Sequence, residues 1–229
     1  MKKIITAFAV TAICTTAAKA QVFYAQGGVN FANISNSNNG NTDDSKILTT
    51  FNAGLLGKFG LSKPVDLETG ILLQGRGAKA ESIIDDNNYV KAKFNPLYLE
   101  VPLNVVVKLP FTGSTGVFVS AGPYAAIGIG GKSKVESRFL GVQSNTSETI
   151  KFSNDDPTTN GQEGASFDRL KRFDYGINFG AGLEFKHLIL KAGYGLGLAK
   201  INSTETNNSD NDKNKYRTLS VSVGIPLSR

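Results

Sequence analysis

The chain carries one histidine and one cysteine, so imidazole and thiol chemistry have few places to reside. Cys14 falls within a segment that reads as a cleaved leader, which leaves the mature chain without a thiol. Disulfides, thiolate nucleophiles and thiolate metal sites are thereby excluded. His187 alone cannot build a common zinc site or a Ser-His-Asp relay. It stands beside Lys186 in a predicted two-residue turn, with no nucleophile placed against it. Asp156-Pro157-Thr158-Thr159-Asn160-Gly161 begins like a calcium loop, but Phe167 stands where the bidentate glutamate is needed. These residues predict no enzyme, no metal and no cofactor.

Two sets of charges remain. Lys58, Glu68, Arg76, Glu100, Lys108, Asp174, Glu184 and Lys191 each lie on the polar side of an alternating stretch, as does Asp66. One reading is a proton or ion path, with Glu100 facing Lys108 and Glu184 facing Lys191. The other makes opposite charges mutual partners in a filled interior, because an unpaired buried charge is costly. In a barrel just wide enough for its own side chains the second reading is favoured. The second set is basic and flanks long loops: Lys132, Lys134, Arg172, Lys215 and Arg217, with Lys91 and Lys93 nearby. At a membrane rim such cations pair with lipopolysaccharide phosphates or simply snorkel towards water.

The elements that position these residues are strands. In 217–227 the odd positions are Leu219, Val221, Val223, Ile225 and Leu227, against Thr218, Ser220, Ser222 and Gly224. In 173–185 Phe173, Tyr175, Ile177, Phe179, Ala181, Leu183 and Phe185 alternate with Asp174, Gly176, Asn178, Gly180, Gly182 and Glu184. A period of two with chemically distinct faces is a β-strand. The same pattern marks 23–33, 47–59, 65–77, 97–109, 117–129 and 188–198, which makes eight strands. The polar face combines Gly, Ser and Asn with charges of both signs, which suits a narrow lumen. The continuous apolar face suits lipid, and segments of about 9–13 residues are long enough to cross it tilted.

Connections alternate between long (34–46, 78–93, 130–172, 200–215) and short (60–64, 110–116, 186–187). Outer-membrane barrels show that rhythm, with long external loops and short periplasmic turns. The fold class expected is all-β, an eight-stranded antiparallel up-and-down transmembrane β-barrel with both termini periplasmic. Pro102 and Pro123 lie inside strands and predict bulges. Phe23, Phe59 and Phe185 at one rim, and Phe173 and Tyr175 at the other, form the expected aromatic girdles.

The first twenty residues read separately. Lys2 and Lys3 precede an apolar stretch ending in Ala18-Lys19-Ala20, a small-x-small cleavage site. Ile13 stands where a small residue is wanted, so Cys14 does not read as a lipoprotein site. Residues 1–20 are the expected signal peptide and 21–229 the barrel domain. Loss of Lys2, Lys3 and Lys19 takes 25 basic residues to 22 against 19 acidic, a net charge of +3. That is too mild to argue for nucleic acid.

Pro96-Leu97-Tyr98-Leu99-Glu100-Val101-Pro102-Leu103, followed by Ala121-Gly122-Pro123-Tyr124 and Phe179-Gly180-Ala181-Gly182-Leu183-Glu184, resembles the PorT-like outer-membrane β-barrel family of Bacteroidetes-type bacteria. The resemblance spans nearly all of 21–229. It implies a small Gram-negative outer-membrane barrel, and one founding relative is tied to a secretion system. The expectation is a non-enzymatic, monomeric barrel in contact with outer-membrane lipid and lipopolysaccharide. Its external loop 130–172, too long for a passive connector, is the expected surface for a partner protein. A narrow pore or a secretion accessory is the alternative.

Overall fold

The computed structural model describes residues 21–38, 41–44, 46–85, 87–109, 115–153, 169–199, 201 and 214–228. The expected leader at 1–20 and the calcium-like segment at 156–161 lie outside them. The strands are β1 (Gln21–Asn38), β2 (Asn41–Asp44), β3 (Leu48–Ser62), β4 (Val65–Gly75), β5 (Ala78–Asp85), β6 (Asn88–Leu109), β7 (Gly116–Phe139), β8 (Val142–Thr149), β9 (Lys151–Ser153), β10 (Arg169–Lys171), β11 (Phe173–Glu184), β12 (Ile189–Gly197) and β13 (Lys215–Ser228).

Eight of these close into a ring. The order β1-β3-β4-β6-β7-β11-β12-β13 returns to β1, and every pairing is antiparallel. Each of the eight alternating segments supplies one ring strand. Closure leaves no sheet edge inside the ring, the condition for backbone to cross hydrocarbon. An even strand number also brings the chain ends together, with Phe23 opposite Ser228.

Alternation decides which face each side chain meets. Leu55, Ile71, Val101, Leu103, Val119, Val221, Val223 and Ile225 point outwards and are exposed. Asn30, Asn52, Lys58, Glu68, Arg76, Glu100 and Asp174 point inwards and are buried. A soluble barrel has the reverse arrangement, so this surface is built for lipid. Phe23 and Phe59 meet edge-to-face at 5.9 Å at the end of the chain termini, while Phe173 and Tyr175 lie exposed towards the other end.

Small inward residues make room for large ones. Tyr124 and Phe118 lie over their direct ladder partners Gly176 and Gly182, and Tyr24 lies over Gly224 on the adjacent strand. A methyl group on Gly182 would stand 2.5 Å from Phe118 Cζ, and one on Gly176 would stand 2.7 Å from Tyr124 Cε1. The lumen is therefore packed by aromatic rings resting on glycines, with hydrophilic groups between them.

Two sequence expectations need correction. First, 78–93 and 130–153 are not simple connectors. β6 and β7, at 22 and 24 residues, continue past the ring and carry β5 and β8 on their flanks. The result is a projecting sheet in the order β5-β6-β7-β8. The β7–β8 turn places Leu140 at φ 48° and Gly141 at φ 82°, with Phe139 paired to Val142. That is the two-residue mirror-image turn whose twist matches a hairpin. Second, neither proline creates a bulge. The β4–β6 ladder passes from Thr69–Leu103 to Leu72–Glu100, and the β6–β7 ladder from Pro102–Tyr124 to Val105–Ala121, with register kept. Proline removes a donor but keeps an extended backbone, so the ladder skips bonds without inserting a residue. The register shift in β6–β7 lies instead at Leu97/Tyr98, opposite Gly130 and Gly128.

Candidate functional site

The interior is organised around buried ions on neighbouring and facing strands. Arg76, immediately after β4, sends one guanidinium nitrogen to Asp174 on β11 and the other to Glu100 on β6. The rings of Tyr124, Tyr98 and Tyr216 surround this cation, with centroids 4.6, 5.3 and 5.9 Å away. The Tyr124 hydroxyl donates to Asp174 at 3.1 Å, and Asn178 donates to Glu100 at 2.8 Å. A planar fork held between two carboxylates and stacked on aromatic faces is a role to which arginine is suited and lysine is not.

Nearer the chain termini lie three lysine pairs. Lys58 Nζ is 2.8 Å from Glu184 Oε2 and 4.3 Å from the Phe118 ring centroid. Lys191 pairs with Glu68, which also accepts from Tyr24 Oη at 2.6 Å and from Asn104 Nδ2 at 3.1 Å. Lys108 Nζ lies 2.6 Å from Asp66 Oδ2, a charge contact without an aligned hydrogen bond. Amides join the two layers: Asn52 donates to Asn30 at 2.6 Å, Asn30 to Gln74 at 2.7 Å, and Ser222 to Asn52 at 3.0 Å.

The pairs named from sequence are not the ones formed. Glu100 takes Arg76 rather than Lys108, and Glu184 takes Lys58 rather than Lys191. Lys108 and Lys191 bind the β4 carboxylates Asp66 and Glu68 instead. Glu100 and Lys108 lie eight residues apart along one strand, β6, too far to meet, whereas β4 runs beside β6 and brings Asp66 and Arg76 within reach of them. The ring of tyrosines was missed as well. Tyr24, Tyr98, Tyr124 and Tyr216 all fall at inward positions of their strands, and that parity was the available signal.

A cavity of about 50 Å³ is bordered by Gln26, Asn104, Ser120, Asn178 and Lys191. Gln26 Oε1 and Asn104 Oδ1 on its wall have no protein donor, so a few waters fit both the volume and the chemistry.

The outer basic residues do not gather into one cluster. Arg172 donates to the Phe152 carbonyl at 3.4 Å, and Arg217 donates to those of Gly197 and Tyr216 at 2.9 and 3.1 Å. Lys215 is half-buried at the start of β13. Lys132 and Lys134, by contrast, border a cleft of about 480 Å³ on the outside of the projecting sheet, together with Lys93, Phe51 and Leu97. His187 is exposed in the turn between β11 and β12. Among the described residues no cluster of three or more His, Cys, Asp or Glu is arranged to hold a metal ion.

No curated protein matches the chain in sequence. Among solved structures it is similar to Ail, the attachment invasion locus protein of Yersinia pestis, at 13% identity and TM-score 0.40, covering 90% of this chain and 98% of that one. Neisserial surface protein A is similar at 10% identity and TM-score 0.41, with 91% and 100% covered. The N-terminal β-barrel domain of Pseudomonas aeruginosa OprF follows at 10% identity and TM-score 0.33, with 88% and 97% covered. Residues 22–203 match the family model described as outer membrane protein beta-barrel domain. With most of its length matched by that model and an outer face fitted to hydrocarbon, the chain belongs to the outer membrane protein β-barrel domain family, as a small barrel of the Gram-negative outer membrane.

Proposed function

We propose that this barrel is a non-enzymatic display protein, whose β5–β8 sheet projects outside the cell and binds a ligand, surface or partner protein. One observation carries the reading. β6 and β7 run without interruption from the barrel wall into the projecting sheet, at 22 and 24 residues. A connector needs only a few residues, so so much ordered strand beyond the ring points to a use. On this reading both termini are periplasmic, the barrel is a monomer, and the PorT-like resemblance names the finer family. The neighbourhood of 130–172 then presents its tip, where Phe139, Leu140 and Val142 are exposed.

The test uses a single cysteine, Leu140→Cys, in the otherwise thiol-free mature chain. In intact cells a membrane-impermeant maleimide should label it fully. Labelling only after the outer membrane is permeabilised would reverse the orientation and end the proposal. Deletion of 135–168 should then remove partner capture while the unboiled barrel still migrates ahead of the boiled form. The narrow-pore alternative is weaker, because buried ion pairs cross the lumen from strand to strand. Bilayer conductance tests it directly.

A further inference from the structure

We propose that the cleft bordered by Lys93, Lys132 and Lys134 binds a phosphorylated glycolipid of the surrounding leaflet, with its phosphates on the lysines and its hydrocarbon against Phe51 and Leu97. The inference deepens the display reading, since it gives the base of the projecting sheet a ligand of stated chemistry.

The argument begins with cross-strand register. On the outward face of the sheet, Glu81, Lys91 and Glu136 stand side by side on β5, β6 and β7, so charges alternate along that row. Two residues closer to the barrel, the neighbours are Lys79, Lys93 and Lys134. Here three like charges are directly opposed, an arrangement that destabilises a sheet. Lys132 adds a fourth, beside Asn95 and Thr149. No ion pair within 4 Å joins these four lysines to a carboxylate among the described residues; Glu81, which lies in the field of Lys79, is paired with Lys46 at 2.8 Å. Lys93, Lys132 and Lys134, without an ion pair and held side by side by the backbone ladder, form a preformed anion site.

The lower wall gives the ligand its second property. Phe51 and Leu97 belong to the outward apolar surface of the ring strands β3 and β6, and Phe51 is exposed. The cleft thus joins an apolar floor continuous with the lipid-facing surface to a basic upper wall. Its volume of about 480 Å³ lies in the range of small-ligand pockets and suits a phosphosugar headgroup. A soluble polyanion satisfies only the lysines. A membrane phosphoglycolipid satisfies both walls.

The test takes the mature barrel purified in zwitterionic detergent, with diphosphoryl lipid A as the probe in mixed micelles. K93Q/K132Q/K134Q should bind it on the order of a hundredfold more weakly than the parent, at roughly fivefold per lysine. K63Q/K171Q/K186Q, which removes the same charge from other exposed positions, should bind as the parent does. Dephosphorylated lipid A should bind the parent as weakly as the triple variant binds the probe. A gel shift between boiled and unboiled samples verifies that each variant is folded. Binding by the triple variant within threefold of the parent overturns the site, and equal losses in both triple variants reduce it to bulk charge. A phosphorylated headgroup without acyl chains that binds as tightly as the whole lipid overturns the choice of a lipid. None of these readings depends on which way the barrel faces, so they fail or succeed independently of the maleimide result.

Discussion

Arg76→Met is the most informative single substitution in the lumen. Methionine keeps much of the side chain's length and apolar contact with Tyr98, Tyr124 and Tyr216, but removes the cation. Glu100 and Asp174, with side chains 1% and 4% exposed, then lose their shared partner together. Tyr124 and Asn178 remain as donors, yet neither carries charge. Removing one partner of a buried pair costs about 3–5 kcal/mol, and this cation serves two anions, so the upper end of that range is expected. The compensated variant R76M/E100Q/D174N removes the ions altogether and should recover stability to within about 1–2 kcal/mol of the parent. Equilibrium unfolding in urea, followed by the mobility of unboiled samples on a gel, measures both. A loss below about 1 kcal/mol for R76M, the scale of an exposed pair, would refute the view that Arg76 neutralises a closed interior. A compensated variant no more stable than R76M would refute the electrostatic account and leave shape alone.

The remaining predictions rank other features by the same logic. Lys191→Met strands the fully buried Glu68 and should cost about 3 kcal/mol or more, while Lys108→Met, whose cation is 41% exposed, strands the less deeply buried Asp66 and should cost less; equal costs in urea titration would remove burial as the deciding variable. Gly182→Val forces a side chain into Phe118 and should destabilise by at least about 1–3 kcal/mol, and a variant as stable as the parent would mean the ring is not seated on that glycine. Leu140→Asn places a tolerant residue at φ 48° and should strengthen the β7–β8 hairpin by about 1 kcal/mol, seen as slower amide exchange across Val142–Thr149. Unchanged exchange there would argue against a strained turn.

Lipid made the ring strands legible. Where hydrocarbon lies on one side and a polar lumen on the other, as at Leu219–Thr218 or Phe179–Asn178, each residue reports its face. Beyond the ring that pressure ends. Lys93 and Lys134 occupy the outward face of β6 and β7 while Ala92, Phe94 and Ser133 occupy the other, a contrast too weak and mixed to separate strand from loop. Ion-pair choice was hidden for a different reason. Arg76 meets Asp174 across 98 positions of chain, and the match depends on ring closure, which no local pattern encodes. The prolines misled because a missing donor in a closed ladder has a simpler outcome than an inserted residue. Register also carried the lysine row, since Lys79, Lys93 and Lys134 become neighbours only once three strands are aligned.

Because β6 and β7 are shared between wall and projection, the sheet above the membrane behaves as a ruler graduated in residue pairs. Adding two residues to each strand would raise everything beyond the insertion by about 7 Å and leave every face as it was. Adding one to each would exchange the faces, turning Ala92 and Val135 to where Lys91 and Glu136 now stand. Relatives with taller or shorter projections should therefore differ by even steps in both strands, and an odd step should come with a compensating bulge such as the one at Leu97/Tyr98.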